Sequence, residues 1–435
     1  MPSTPKLFGP DRLYEHWRWQ IFGITWLAYV GFYLTRKSFW VVKSELESPQ
    51  VMGLSMSDMG WIDVTYQLAY AVGQFVWGMC GDRFGSRKVI LLGMFSSVVI
   101  AIAMGMSSTV ILLGAFFGLQ GLAQSSGWAP LTKNVSCFFS QRERGTVMGF
   151  WFTNYAVGGL IASPFAGYFG QLYGWRCAFF APAVALLIIW ILFYLLQRNR
   201  PEDVGLPPIE KYHGEPEARL EAEPAAAERA DGSWKIIGEV VRSPMVLLLS
   251  VVYLFFKPTR YAIFAWGPKY LNDRLGTNMV ESGALSSLFE LAGPVSILLG
   301  GVISDRVFKS KRMPVSIICL LLLAVMLFLM DKLPPSKAML GGCFFLIGFF
   351  LFAPDSLVSG TAAVDFGTKK GAATAAGIIN GCGSLGAVVG VGVPGFLQKQ
   401  WGWDGVFTFF AAAVLLAALL LLPKWNALPK GSNGS

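Results

Sequence analysis

YVGFYLTR (Tyr29–Arg36) and YLFFKPTR (Tyr253–Arg260) carry Tyr, Phe, Thr and Arg at the same four places, and each sits inside a long apolar stretch. A second echo lies at almost the same offset: Gly78-x-x-x-Asp82-Arg83 returns as Gly301-x-x-x-Asp305-Arg306. Two matches in register argue for an ancient internal duplication. The repeated units are themselves membrane-like. Of the 435 residues, 54% are hydrophobic and 14% charged, and the mean hydropathy is +0.53, a balance foreign to soluble domains of this length.

Scanning for apolar windows of ~20 residues, the length that crosses ~30 Å of hydrocarbon, gives about twelve spans. They lie at 19–42, 59–80, 89–106, 109–132, 145–172, 176–196, 245–271, 281–303, 314–330, 337–362, 371–398 and 403–422. Long apolar runs dotted with Gly favour helices over a barrel of short alternating strands. The expected domains are a polar segment 1–18, a first bundle 19–196, a solvated Glu/Ala/Pro-rich linker 197–243, a second bundle 244–424 and a tail 425–435. The fold class is therefore an all-α membrane protein, with about twelve transmembrane helices in two pseudo-symmetric six-helix bundles.

The amino-terminal segment has no cleavable apolar core and is expected to stay in the cytoplasm. Arg83, Arg87, Lys88, Arg142, Arg144, Arg306, Lys309, Lys311, Arg312, Lys369 and Lys370 then fall in loops on that same side. The net charge of +9 thus reads as positive-inside bias, not as a nucleic-acid surface. Six cysteines lie in apolar segments without CxxC spacing, and the histidines, His16 and His213, lie outside the spans. This pattern implies no cofactor, no metal and no histidine relay. Nucleophile-and-base sets and phosphate loops are absent too, which argues against an enzyme.

Arg36 and Arg260 pose the chemical question. The repeat puts them on matching helices facing one central cavity, whereas Arg36 alone would read as a helix-end residue snorkelling to headgroups. A guanidinium near the bilayer midplane costs about 2.5–3.5 kcal/mol and needs a partner. Static salt bridges to Asp63, Glu290 or Asp355 are one answer. An anionic substrate is the other, since guanidinium forks match phosphate oxygens and stay charged. Lys257, one turn before Arg260, widens the positive field. Further candidate cavity residues are Tyr33, Gln67, Tyr70, Gln124, Tyr261, Glu290 and Asn380.

The paired halves and GMCGDRFGSRK (78–88) resemble the major facilitator superfamily. In that resemblance Asp82, Arg83, Asp305 and Arg306 belong to gating contacts that break as the halves rock. FYLTRKSFWVVKSEL (32–46), RPEDVGL (200–206), SLFELAG (287–293) and DFGTKKGAA (365–373) are similar to the organophosphate:phosphate antiporter family, in particular the sugar-phosphate exchangers. The resemblance implies that Arg36 and Arg260 clamp a phosphate. Lys37 completes the family's Arg-Lys pair and either serves the gate or caps the helix. Two positions depart from the pattern: Gln74 stands where phosphate-exchanging members have a second-span lysine, and Tyr155 where some have a fifth-span histidine. Each keeps a hydrogen-bond donor and loses a possible cation.

The function expected is exchange of a phosphorylated sugar or glycerol-type metabolite for inorganic phosphate, by a monomer in a bacterial inner membrane with both termini cytoplasmic. Two other readings stay open. One is a membrane sensor of external sugar phosphate that needs a partner kinase. The other is proton-coupled symport of an organic anion through Asp63 or Glu290.

Overall fold

The computed structural model describes residues 10–139, 147–212, 242–309, 311–361 and 372–427, and every regular element among them is helical. In the amino-terminal part these are α1 (Pro10–Glu47), α2 (Met56–Phe84), α3 (Ser86–Met106), α4 (Val110–Gln124), α5 (Trp128–Ser136), α6 (Thr153–Tyr173) and α7 (Cys177–Leu196). In the carboxy-terminal part they are α8 (Pro244–Leu275), α9 (Met279–Arg306), α10 (Arg312–Leu329), α11 (Lys337–Ser356) and α12 (Ala372–Leu421). Eight helical stretches are long and apolar enough to cross a bilayer. Helices α1, α2 and α6 are not among them. The polar residues that disqualify α1 and α2, from Arg36 and Lys43 to Asp63 and Gln67, are buried inside the protein. The outer surface instead carries exposed apolar side chains such as Ile188, Val325 and Leu298.

Several element ends follow from local chemistry. Ser55 caps α2 in a capping box with Asp58, and Asn278 caps α9 by accepting from the Glu281 amide. Gly85, at φ 83°, makes the abrupt turn from α2 to α3. The window 109–132 is not one rod: it breaks at Ser125–Gly127 between α4 and α5. Windows 371–398 and 403–422 fall in one continuous stretch, α12, which changes direction at Gly402, φ 63°. Helix α1 outruns its window at both ends, since a helix does not stop where hydropathy does; its 38 residues reach about 57 Å at 1.5 Å per residue. Part of the expected solvated linker is folded as well. Gln197 and Asn134 bond each other, Pro201–Val204 form a tight turn, and Tyr14 donates to the Pro207 carbonyl and stacks on Tyr212 at 4.0 Å. Residues 213–241, with His213, and the loop residues Arg142, Arg144, Lys369 and Lys370 lie outside the described residues.

The two parts of the chain meet where α6 packs on α9 and α2 on α12. These contacts are closest at one end. A Cβ on Gly167 would stand 2.6 Å from the Met279 carbonyl oxygen, and one on Gly395 would stand 2.7 Å from that of Met56. Lys269 on α8 ties the same end together, pairing with Glu47 of α1 at 2.6 Å and with Asp273, which accepts in turn from Trp403. The core does not follow this division. Phe39 to Leu46 of α1, with residues of α2 and α4, share one apolar cluster with α8 to α12, while Ile21 to Leu34 pack in a second cluster with α3, α5 and α7.

Candidate functional site

Arg36 and Arg260 line one pocket, with Tyr33, Trp40, Tyr66, Gln67, Tyr70, Tyr261 and Phe264. Arg36 is far from a helix end: α1 continues to Glu47, and the side chain is 9% exposed. That geometry disposes of the snorkelling alternative. It also shows that Lys37 caps nothing.

The guanidinium of Arg36 meets no carboxylate among the described residues. Its Nε donates to Gln124 Oε1 at 2.9 Å, and its plane lies over Tyr33 at 4.6 Å and Tyr70 at 5.0 Å. Gln124 is fully engaged, for Tyr66 Oη donates to the same oxygen at 3.0 Å and Gln124 Nε2 donates to Thr35 Oγ1 at 3.0 Å. Nη2 of Arg36 is buried without a hydrogen-bond partner. A strong donor on a permanent cation, held by neutral groups and left unsatisfied, has the chemistry to accept an anion.

Arg260 is different, because its Nη1 pairs with Asp355 Oδ2 at 2.9 Å while its Nε is buried unpartnered. Rings of Phe352, Tyr155 and Phe264 surround it at 4.9 to 5.4 Å. Of the carboxylates that the sequence offered as counter-ions, Asp355 alone meets an arginine. Glu290 pairs with Lys37 at 2.6 Å, both buried. Asp63 pairs with Lys43 at 2.5 Å and accepts from Trp40 Nε1 at 2.8 Å. Lys43 in turn lies 3.4 Å from the ring centroid of Trp266 on α8.

The remaining expected residues scatter. Tyr33 and Tyr261 line the cavity, and their hydroxyls have no hydrogen-bond partner among the described residues; the Gln67 amide is in the same position. Tyr155 reaches the site as the ring beside Arg260. Gln74 is half-buried on α2 and is not among the cavity-lining residues. Lys257 stands behind Arg260, its Nζ 3.5 Å from the Asn380 carbonyl oxygen, and Asn380 itself is exposed. At the far end of α2, Arg83 is exposed beside Phe84, and the Asp82 side chain lies outside the described residues. Asp305 pairs with Arg312 at the start of the next helix, and Arg306 is exposed. Trp40, Tyr66, Phe264, Lys43 and Lys269 were missed by sequence reading. Lys43 and Trp40 had one usable signal, a helical turn or two beyond Arg36 on α1. A second, small pocket, among α8, α10, α11 and α12, has an apolar and aromatic wall with no charged side chain.

The profile of the Major Facilitator Superfamily matches residues 25–391. The chain is 33% identical to the probable hexose phosphate transport protein of Chlamydia trachomatis, over 98% of this chain and 94% of that one. It is 31% identical to the membrane sensor protein UhpC of Salmonella typhimurium, over 96% of this chain and 93% of that one. In fold it is similar to the crystal structure of a bacterial homolog to the human lysosomal transporter Spinster, with a TM-score of 0.72 at 15% identity, covering 93% of this chain and 96% of that one. These relatives indicate a transporter-type membrane protein and not an enzyme. With the match extending over most of its length, the chain belongs to the major facilitator superfamily and, within it, to the organophosphate:phosphate antiporter family.

Proposed function

We propose that the protein is a secondary antiporter exchanging a phosphorylated metabolite, a sugar phosphate or glycerol 3-phosphate, for inorganic phosphate by alternating access. The observation that carries this reading is the uncompensated Arg36, its Nη2 buried without a partner in the cavity it shares with Arg260. Phosphate oxygens accept from Arg36 Nη2 and Arg260 Nε, and the Tyr33 and Tyr261 hydroxyls and Gln67 amide face the rest of the ester. No nucleotide or other cofactor takes part.

Counting α4 with α5 as one passage and α12 as two gives twelve passages in two bundles, with Lys257 and Arg260 as the counterparts of Tyr33 and Arg36. Cytoplasmic termini in a bacterial inner membrane then make the sealed end, at Gly167, Gly395 and Lys269, the outer one. The Asp305–Arg312 pair and the Asp82, Arg83 and Arg306 region belong to the opposite gate. Lys37–Glu290 and Lys43–Asp63 brace the centre as the halves rock. Binding draws α1 and α8 onto one phosphate and lowers the cost of reorientation, whereas an empty site leaves unsatisfied cations and resists it. Obligatory exchange follows from that electrostatics, and a monomer suffices for it.

The test is labelled-phosphate exchange in proteoliposomes. Arg36→Ala and Arg260→Ala each lower it by at least about a hundredfold, the cost of losing a buried charge-assisted contact. Near-normal exchange by both variants refutes the clamp. A panel of unlabelled phosphate esters competing with labelled phosphate identifies the ester. The likeness to a protein named a membrane sensor supports a second reading, a receptor for sugar phosphate with a partner kinase. Such a receptor binds esters and exchanges them poorly, so flux separates the two. Proton-coupled symport gains no support from the geometry, because Asp63 and Glu290 are each paired with a lysine; uptake that follows the pH gradient and ignores trans phosphate is its signature.

A further inference from the structure

The ionisable groups at the centre do not balance. Arg36, Lys37, Lys43, Lys257 and Arg260 face Asp63, Glu290 and Asp355, leaving two positive charges over among these residues. Lys37 and Lys43 are matched one to one. The excess therefore resides in Arg36 and in the group formed by Lys257, Arg260 and Asp355.

Within that group, Asp355 sits on the wrong partner for a resting structure. Lys257 is 6% exposed, yet among the described residues its ammonium has only the Asn380 carbonyl as a hydrogen-bond acceptor, at the 3.5 Å limit of such a bond. An ammonium buried with so little is costly unless it has a use for the shortfall. Tyr253, Lys257 and Arg260 follow one another at i, i+4 and i+7 along one face of α8. Tyr253 Oη donates to Asp355 Oδ1 at 2.8 Å, and Lys257 Nζ lies 4.7 Å from the centroid of that tyrosine ring. Asp355 stands at the end of α11, next to Pro354 and just before a wide helical turn, Leu357–Thr361.

We infer that Asp355 is a resident stand-in for the substrate phosphate at Arg260, and that Lys257 receives this carboxylate when the phosphate arrives. The inference rests on the antiporter reading above and deepens it. The incoming anion displaces Asp355 from Arg260 Nη1; the carboxylate, still held by Tyr253, closes on Lys257; no proton or covalent bond moves. Arg260 is thereby freed for the phosphate without stranding an acid, and the two excess charges meet a dianion. Substrates are the doubly ionised phosphate and its monoesters. A singly charged diester leaves one cation unmet, and a neutral analogue leaves both.

Exchange kinetics in proteoliposomes of the full-length protein test this with inorganic phosphate as the probe. Lys257→Gln leaves Asp355 nowhere to go, so the half-saturating phosphate concentration rises roughly tenfold or more, as for loss of one close charge partner. Asp355→Asn alone lowers that concentration and slows turnover, because Arg260 no longer lets go easily. Asp355→Asn in the Lys257→Gln background restores half-saturation to within about threefold of wild type, a suppression that charge handover predicts and packing does not. Unchanged kinetics in Lys257→Gln, or a double variant no better than Lys257→Gln, overturns the inference. If Lys257→Gln does not reach the membrane, Asp355→Asn decides alone: an unchanged or raised half-saturation overturns it. Failure here is separable from failure of the site reading, because Arg36→Ala stays inactive when only the handover is wrong and stays active when the clamp itself is wrong.

Discussion

Gln124 holds Arg36 with an amide oxygen, at a place where a carboxylate would serve as an equally good acceptor and would cancel the charge. Replacing it by the isosteric acid separates the two roles. Gln124→Glu still accepts from Arg36 Nε and Tyr66 Oη but puts a negative group beside the guanidinium. The half-saturating phosphate concentration is expected to rise at least about tenfold, with thermal unfolding of the solubilised protein close to wild type. Gln124→Ala releases Arg36 without neutralising it and has a smaller effect. Wild-type kinetics in Gln124→Glu would mean that Arg36 is not the charge the substrate meets. At this scale the repeat made Arg36 and Arg260 legible, since matching positions in duplicated halves point to one axis. Their difference was illegible: whether Asp355 meets Arg260 or Arg36 depends on the packing of α11 against α8, and neither residue's neighbours in sequence record it. The same holds for Lys43 and Asp63, paired between α1 and α2.

Helices α8 and α12 approach each other more closely than side chains allow. Pro258 has no amide to donate, which leaves the Leu254 carbonyl without its usual helical partner. Gly386 and Gly390 press on this weak point, where added Cβ atoms would stand 2.6 Å from Leu254 O and 2.2 Å from Pro258 O. Gly390→Ala should therefore destabilise the protein by about 1–3 kcal/mol through overpacking. Gly23→Ala, a change into open space within α1, should instead stabilise by about 0.5–1 kcal/mol through helix propensity. Thermal unfolding of the two variants in detergent checks the sign of each. The elements themselves were largely legible in the apolar windows, because a bilayer demands long continuous runs. Breaks and extensions were not. The folded start of the connector depends on bonds such as Asn134 to the Arg198 and Asn199 carbonyls, made between distant stretches of chain.

Across the whole molecule the two halves are joined most tightly at the end where α1 finishes and α2 begins. Lys269 is the charged element of that seal, bonded to Glu47 across the halves and to Asp273 on its own helix. Lys269→Gln should shift the population towards the form open at that end. The measurement is the rate at which a membrane-impermeant thiol reagent, added from that side, modifies a single Ile263→Cys in a cysteine-free background; unchanged modification would show that the glycine contacts alone keep it shut. Which end is closed is a property of one conformation and leaves no mark on sequence. Helix α1 adds a mechanical consequence. It runs without interruption from Tyr14, anchored on Pro207 and Tyr212, to Arg36, roughly 33 Å further along at 1.5 Å per residue. A stiff pointer of that length converts a few degrees of tilt at the buried cation into an ångström-scale swing at the surface tip. The aqueous connector clasped to that tip thus has direct mechanical access to a charge that solvent barely touches.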